Sequence, residues 1–334
     1  MTAAMENAKA NEIFLPSKDL ATDLAFFTDR LGFRLETIFP ADDPTTATIS
    51  GHGVLIRLSR DAGAAPPALQ AEKARTADAL VVNRLKDRDA WVIGRAGMQY
   101  RDLIPGRLGG SLIASHIRIP NPGPVPDLVH FHDIAFQLIF CHRGWVRVVY
   151  EDQGPPFVLK AGDCLIQPPR IRHRVLEASE NLEVIEVSAP AQHLTTMDHA
   201  MTLPTEACKP DRDFGGQRFC RTESDTVVWS NGRLPGFEAR ETGIGTATCG
   251  VASVHVLRPT GAALEAWTTH TADILFTFLR SGSVTLREEG RAHALNAGDA
   301  YLIPPGMRTA LTDGSTDLEL LQVALPANFE TRVA

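Results

Sequence analysis

The chain contains an internal repeat, and that repeat constrains the fold more than any other feature. Tyr100 to Pro120 aligns without gaps on Ala239 to Pro259, so that Arg101-Asp102 meets Arg240-Glu241, Gly106 meets Gly245, His116 meets His255 and Pro120 meets Pro259. Further along, Gly144 matches Gly282, Ala161-Gly162-Asp163 matches Ala297-Gly298-Asp299, and Pro168-Pro169 matches Pro304-Pro305. From Ala77 onward the pattern is one of short β-type runs punctuated by Pro and Gly, as in all-β barrels. A chain of 334 residues has room for two or three domains, each with its own core. A tandem pair of similar β units is therefore expected.

The first copy carries the chemistry. His130 and His132 are one residue apart on a strand, and side chains alternate faces with period two, so both imidazoles point the same way. Gln137 follows five residues after His132 with Gly144 seven beyond, and a second piece holds Gly162, Pro168 and His173. A third imidazole arriving from another strand completes a facial set suited to a divalent transition metal. This combination resembles the cupin family. The first cupin motif places a glycine before His-x-His, then a glutamate and a second glycine; here these are Gly123 (with one extra residue in the spacing), His130, His132, Gln137 and Gly144. The second motif falls on Gly162, Pro168, Arg170 and His173. Two departures stand out: Arg170 replaces a turn glycine, and Gln137 replaces the usual glutamate ligand. The resemblance implies a mainly β chain of two tandem cupin (double-stranded β-helix) barrels, with metal ligands His130, His132, Gln137 and His173. In the second copy the matching positions are Thr268, His270, Leu275 and Thr309. A single imidazole is not a metal site, so that copy is expected to be a metal-free scaffold or a pocket.

Residues 11 to 59 form a separate unit. Leu20, Leu24, Phe27 and Leu31 trace one face of a helix, with Ser17 as its cap and Gly32 as its stop, between a short strand at 11–15 and strands at 33–39, 45–50 and 54–58. This βαβββ order, with Asp19-Leu20, Phe26-Phe27 and Leu31-Gly32-Phe33, resembles one half-module of the vicinal-oxygen-chelate (glyoxalase and bleomycin-resistance) family. Glu12 falls near that family's first-strand ligand position; alone on a strand it reads more simply as an exposed carboxylate. The expected division is a half-module at 1–60, a linker at 61–76, a metal-binding cupin at 77–200 and a degenerate cupin at 201–334.

All four predicted ligands are neutral, so a bound divalent ion would keep its charge and favour an anionic oxygen chelator. Gln137 cannot act as a general base. The substrate expected is small and enolic, diketone-like, phenolic or a hydroxy acid. The resemblance implies one divalent metal, Fe(II) first and Zn, Ni or Mn as alternatives, in a dioxygenase. A non-redox cyclase, isomerase or lyase and a non-catalytic binding protein are the other readings. Net charge of −7 argues against nucleic-acid and anionic-membrane partners. No apolar run reaches membrane-span length, and the first residues, with mixed charges, do not form a secretory core. Five cysteines without CxxC spacing read as reduced thiols in a cytoplasm. A homodimer is compatible with the half-module. Among the other histidines, the alignment makes His116 and His255 equivalent, hence structural. His52 reads as a turn residue, His142 should face away from the metal, and Cys141 should share the face of Gln137.

Overall fold

The fold is that of a computed structural model, described for residues 12–61, 76–87, 91–262 and 264–334. The readings made for the first eleven residues, and for the linker between its end residues 61 and 76, fall outside the described chain. Two β barrels of like topology stand back to back, each made from two facing sheets. The inner sheet of the first runs Cys220–Thr222, Cys164–Ile166, Phe136–Arg143, Leu182–Ala189, Ile113–Ile119, Gln99–Asp102 and Val92–Ile93. Its counterpart in the second runs Val81–Asn83, Ala300–Ile303, Ile274–Ser281, Glu319–Leu325, Ser253–Pro259, Phe237–Glu241 and Trp229–Asn231. Strands such as Phe136–Arg143 are apolar on both faces because both are buried. Phe136, Leu138 and Phe140 join Phe276, Phe278, Val254 and Val323 in one core shared by the two barrels. The alternate residues Ile139 and Cys141 turn instead into the first barrel.

The barrels are tied by reciprocal exchange. Val81–Asn83 precedes the first barrel in sequence but pairs with Ala300–Ile303 of the second, while Cys220–Thr222 precedes the second barrel and pairs with Cys164–Ile166 of the first. Buried Arg101 donates Nη2 to the Gly298 carbonyl at 2.9 Å, and Arg240 donates Nη2 to the Gly162 carbonyl at 2.8 Å. Asp163 accepts the Ser224 amide and Asp299 the Leu85 amide, each at 2.8 Å. The repeated Arg and Gly-Asp positions are thus interface clamps.

The register corrects one part of the repeat. Arg101 lies opposite His116, but Arg240 lies opposite Val256, and it is Glu241 that faces His255. The gapless alignment is therefore one residue out beyond the Arg clamp, and His255 corresponds to Ser115. His116 points toward the shared core, bonded to Glu183 at 2.9 Å and edge-on to His142 and Phe278. His255 lies across from Gln322, inside the second barrel, and pairs with Glu241 at 3.2 Å. The two histidines are therefore not equivalent, and their shared place in the aligned sequence gives them no common structural role. His142 does face away from the ligands, and Cys141 does share the interior face of Gln137.

The N-terminal unit has the expected βαβββ order: Glu12–Pro16, Leu20–Ala25, Arg34–Phe39, Thr46–Gly51 and Val54–Ser59, with the first strand parallel to the last. Its helix is capped by Asp19, which accepts the Thr22 amide at 3.2 Å; Ser17 instead donates to Asp23. The helix continues as a π turn over Phe26–Arg30. The wider turn moves the fourth apolar residue off the stripe, which leaves Leu31 41% exposed while Leu20 is buried. Glu12 is ion-paired with Arg57. The unit's sheet is continuous with the outer sheet of the first barrel, because Thr195 and Thr196 pair with Ile38 and Thr37. Among the described residues no helix is long and apolar enough to cross a membrane.

Candidate metal centre

Strand pairing brings the three histidines together. His130 lies directly opposite His173 on the neighbouring antiparallel strand, and His132 lies opposite Thr195 on the other side. One ring atom from each imidazole falls within 4.8 Å of the others, and all three rings are buried. Each Nδ1 is engaged: His130 with the Leu128 carbonyl at 2.7 Å, His173 with the Ile171 carbonyl at 3.0 Å, and His132 with the Thr195 hydroxyl at 3.0 Å. A carbonyl can only accept, so His130 and His173 carry their proton on Nδ1 and present a bare Nε2. Burial pushes His173 down to about 4 and holds His130 and His132 well below 6.5, so the rings are neutral.

Gln137 enters from the inner sheet, 1% exposed, and neither its Oε1 nor its Nε2 makes a hydrogen bond of good geometry with the protein. His130 Nε2 is likewise buried without a partner. Buried polar atoms are normally satisfied. Three neutral, buried imidazoles lining one cavity with their ring nitrogens converging form a donor set that fits a divalent transition ion.

Arg170 shows how the motif tolerates losing its glycine. It sits at φ +61°, where the second barrel keeps Gly306 at φ +75°. In both, this residue's amide bonds back to the carbonyl of the second motif residue, His132 at 3.1 Å and His270 at 2.8 Å. Arg170 adds an ion pair with Asp133 and stacks over Phe131.

Several residues that the sequence did not single out surround the centre. Glu186 lines the same cavity, beside the Gln137 amide. Burial pushes its carboxyl up to about 7, opposed by Gln137, Ser188 and Arg95. Arg95 is ion-paired with Asp127, whose carboxylate also accepts the Leu128 and Val175 amides and so fixes the approach to His130. Tyr150 stacks on His173 with ring centroids 5.4 Å apart and accepts a hydrogen bond from Gln167 at 2.8 Å. A further imidazole, His193, lies 5.4 Å from His132 between ring centroids. The cavity, about 80 Å³, is otherwise walled by Tyr100 and by Ile, Val, Leu and Met side chains.

The N-terminal unit closes one side of this space. Pro40, Ala41 and Asp42 line a polar recess together with His132, His193 and Glu186. The Ala41 carbonyl accepts the Arg95 amide at 3.0 Å, and Asp42 is ion-paired with Arg107. The contact is close: a Cβ on Gly94 would lie 2.6 Å from the Ala41 carbonyl oxygen.

These features define the fold: two tandem β barrels of the cupin type, the first holding a three-histidine group. No family model matches the sequence, and no curated protein matches it either. Solved structures match the fold. A point variant of salicylate 1,2-dioxygenase from Pseudoaminobacter salicylatoxidans in complex with gentisate superposes with a TM-score of 0.57 at 15% identity, over 78% of this chain and 87% of that one. Oxalate decarboxylase from Lactobacillus farciminis gives 0.55 at 13% identity over 77% and 89%. Protein Ylba from E. coli gives 0.53 at 12% identity over 76% and 94%.

Proposed function

We propose that the first barrel is the active site of a metal-dependent enzyme acting on a small enolic, diketone-like, phenolic or hydroxy-acid substrate, a dioxygenase in the first reading. The observation that carries it is the convergence of three buried, neutral imidazoles in one cavity, their ring nitrogens within 4.8 Å of one another. Their ligand set is His130, His132, His173 and Gln137, and the ion is Fe(II), with Zn, Ni or Mn as alternatives. Such an ion, when bound, supplies Lewis acidity and, if redox-active, a partner for O2. The residues of the chain do the rest. Apolar walls exclude water, the neutral donors leave the charge of the ion to an anionic oxygen, and Glu186 offers a hydrogen-bond acceptor for an acidic hydroxyl. The sequence alone offered no base near Gln137; Glu186 supplies a carboxylate there.

That carboxylate also favours a second reading, a non-redox isomerase, cyclase or lyase, in which Glu186 receives and returns a proton. The fold-level likeness to a dioxygenase and a decarboxylase is compatible with either. We further propose that residues 1–60 are a half-module of the vicinal-oxygen-chelate type whose role is to wall the cavity, and that 77–200 and 201–334 are the two barrel units, which exchange the strands Val81–Asn83 and Cys220–Thr222. Metal analysis of protein purified without added metal, then oxygen uptake with a panel of enolic substrates, tests this. Uptake supports the dioxygenase, and product without uptake supports the second reading. Binding without turnover leaves a ligand-holding protein, and absence of metal rejects the proposal.

A further inference from the structure

The second barrel has a cavity of its own, about 40 Å³, in the place where the first holds its histidines. That is several times the space one water needs. Its polar surface is a systematic replacement of the first. Register puts Thr268 opposite Thr309 as His130 is opposite His173. Gln322 takes the place of Glu186, because each lies on the strand that pairs with the Gln137 or Leu275 strand, at the same step. Leu275 replaces Gln137, and Ile303 replaces Gln167.

The exchanges at the histidine, Gln137 and Glu186 positions remove charge or metal affinity, and Ile303 in place of Gln167 extends the apolar wall. His270 is 5% exposed, and neither ring nitrogen makes a hydrogen bond of good geometry, although the Ala272 and Ile303 carbonyls lie near. Thr268 and Thr309, 8% and 5% exposed, line the cavity with it. No lysine or arginine lines the space, and its one carboxylate, Glu265, is exposed. An anion would find no counter-charge and would meet that carboxylate. A cation would lose its hydration for a single solvent-screened partner.

We infer that the second barrel is a binding site for a small uncharged organic molecule carrying a hydroxyl or carbonyl oxygen. Thr268, His270 and Thr309 hold the oxygen, and Leu275, Phe237 and Ile303 enclose the apolar part. The two barrels then divide one topology between two ligand chemistries, an anionic chelator in the first and a neutral molecule in the second.

The isoleucines separate the sites, since Ile303 lines the second cavity and Ile117 and Ile139 line the first. Full-length protein labelled at isoleucine methyls is titrated with 2-butanone, and separately with butyrate as the charged counterpart. The expected result is a saturable shift at Ile303 with 2-butanone and none with butyrate, while Ile117 and Ile139 stay in place. Thr268→Val and Thr309→Val, near-isosteric changes, should each weaken binding about fivefold through loss of one hydrogen bond. His173→Ala should leave it unchanged. An Ile303 signal unmoved by 2-butanone means a water-filled space and overturns the inference. Equal binding of butyrate, or retention of full affinity by both threonine variants, overturns it as well.

Discussion

Replacing Gln137 by leucine should stabilise the metal-free protein. Gln137 is buried with both amide atoms lacking a good hydrogen bond. An unsatisfied buried donor or acceptor costs about 1–3 kcal/mol. Leucine has a similar volume, and the same fold already places Leu275 at the matching position. Part of the gain is lost because the Glu186 carboxyl gives up a favourable neighbour, leaving about 2 kcal/mol as the working figure. With about 2.1 cal/mol/K per residue, the unfolding entropy of 334 residues is about 0.7 kcal/mol/K, so Tm should rise by about 3 °C. Differential scanning calorimetry after exhaustive chelation measures this directly. Adding metal should reverse the order, because a ligand that binds only the folded state stabilises in proportion to its affinity, and the variant has lost a donor. If Gln137→Leu melts below the parent under chelation, the amide is satisfied within the protein, and the reasoning that it serves a metal fails.

Elemental analysis should find one metal per chain, and His173→Ala should lose it, since only the first barrel has three converging imidazoles among the described residues. Gln137→Glu should tighten metal binding and weaken anionic chelators, because it adds a negative charge beside the ion; tighter chelator binding in calorimetric titrations would refute the neutral-shell account. Arg170→Gly should change stability by less than about 1 kcal/mol in urea titrations, as relief of the left-handed backbone offsets the lost ion pair with Asp133. Burial depresses His142 to about 4, with His116 opposing its charge, Glu183 favouring it, and Arg280 and Arg143 opposing it. Between pH 6.5 and about 4 the unfolded chain therefore binds the extra proton, so stability is lost as the pH drops through that window, by up to about 3 kcal/mol. His142→Asn should flatten that slope in denaturant titrations across the window, and an unchanged slope would place the titration elsewhere.

Much of this molecule is legible in the sequence because its ligands lie in short motifs. His130, His132 and His173 declare themselves by strand parity and by glycine and proline punctuation, and pairing puts them face to face. The βαβββ order of the first sixty residues is visible for a similar reason, since helix and strand periods alternate cleanly. Glu186 escaped because its run, Leu182 to Ala189, reads simply as a strand. A signal was present: Leu182 and Val184 are apolar on one face while Ile185 and Val187 are apolar on the other, so both faces are buried and Glu186 must be a buried carboxylate. Arg95 and Asp127 could not be paired in advance, because their meeting depends on how loops fold over the barrel mouth.

The shift in the repeat has a related cause. Glycines, prolines and the Arg clamp recur because two barrels packed back to back need the same turns and the same reciprocal contacts. Those positions fix the alignment at the interface. Between the clamp and the next strand, however, the halves differ by one residue, and a shift of one transfers every side chain to the opposite face. Sequence matching gave His116 and His255 one role, whereas pairing sends one to the shared core and the other into a barrel. The repeated positions lie at turns and at the reciprocal contacts between the barrels. On the faces turned into the barrels the halves differ, and there histidines, glutamine and glutamate in one stand against threonines, leucine and glutamine in the other. The repeated positions therefore report architecture, and chemistry has to be sought at the positions where the halves disagree.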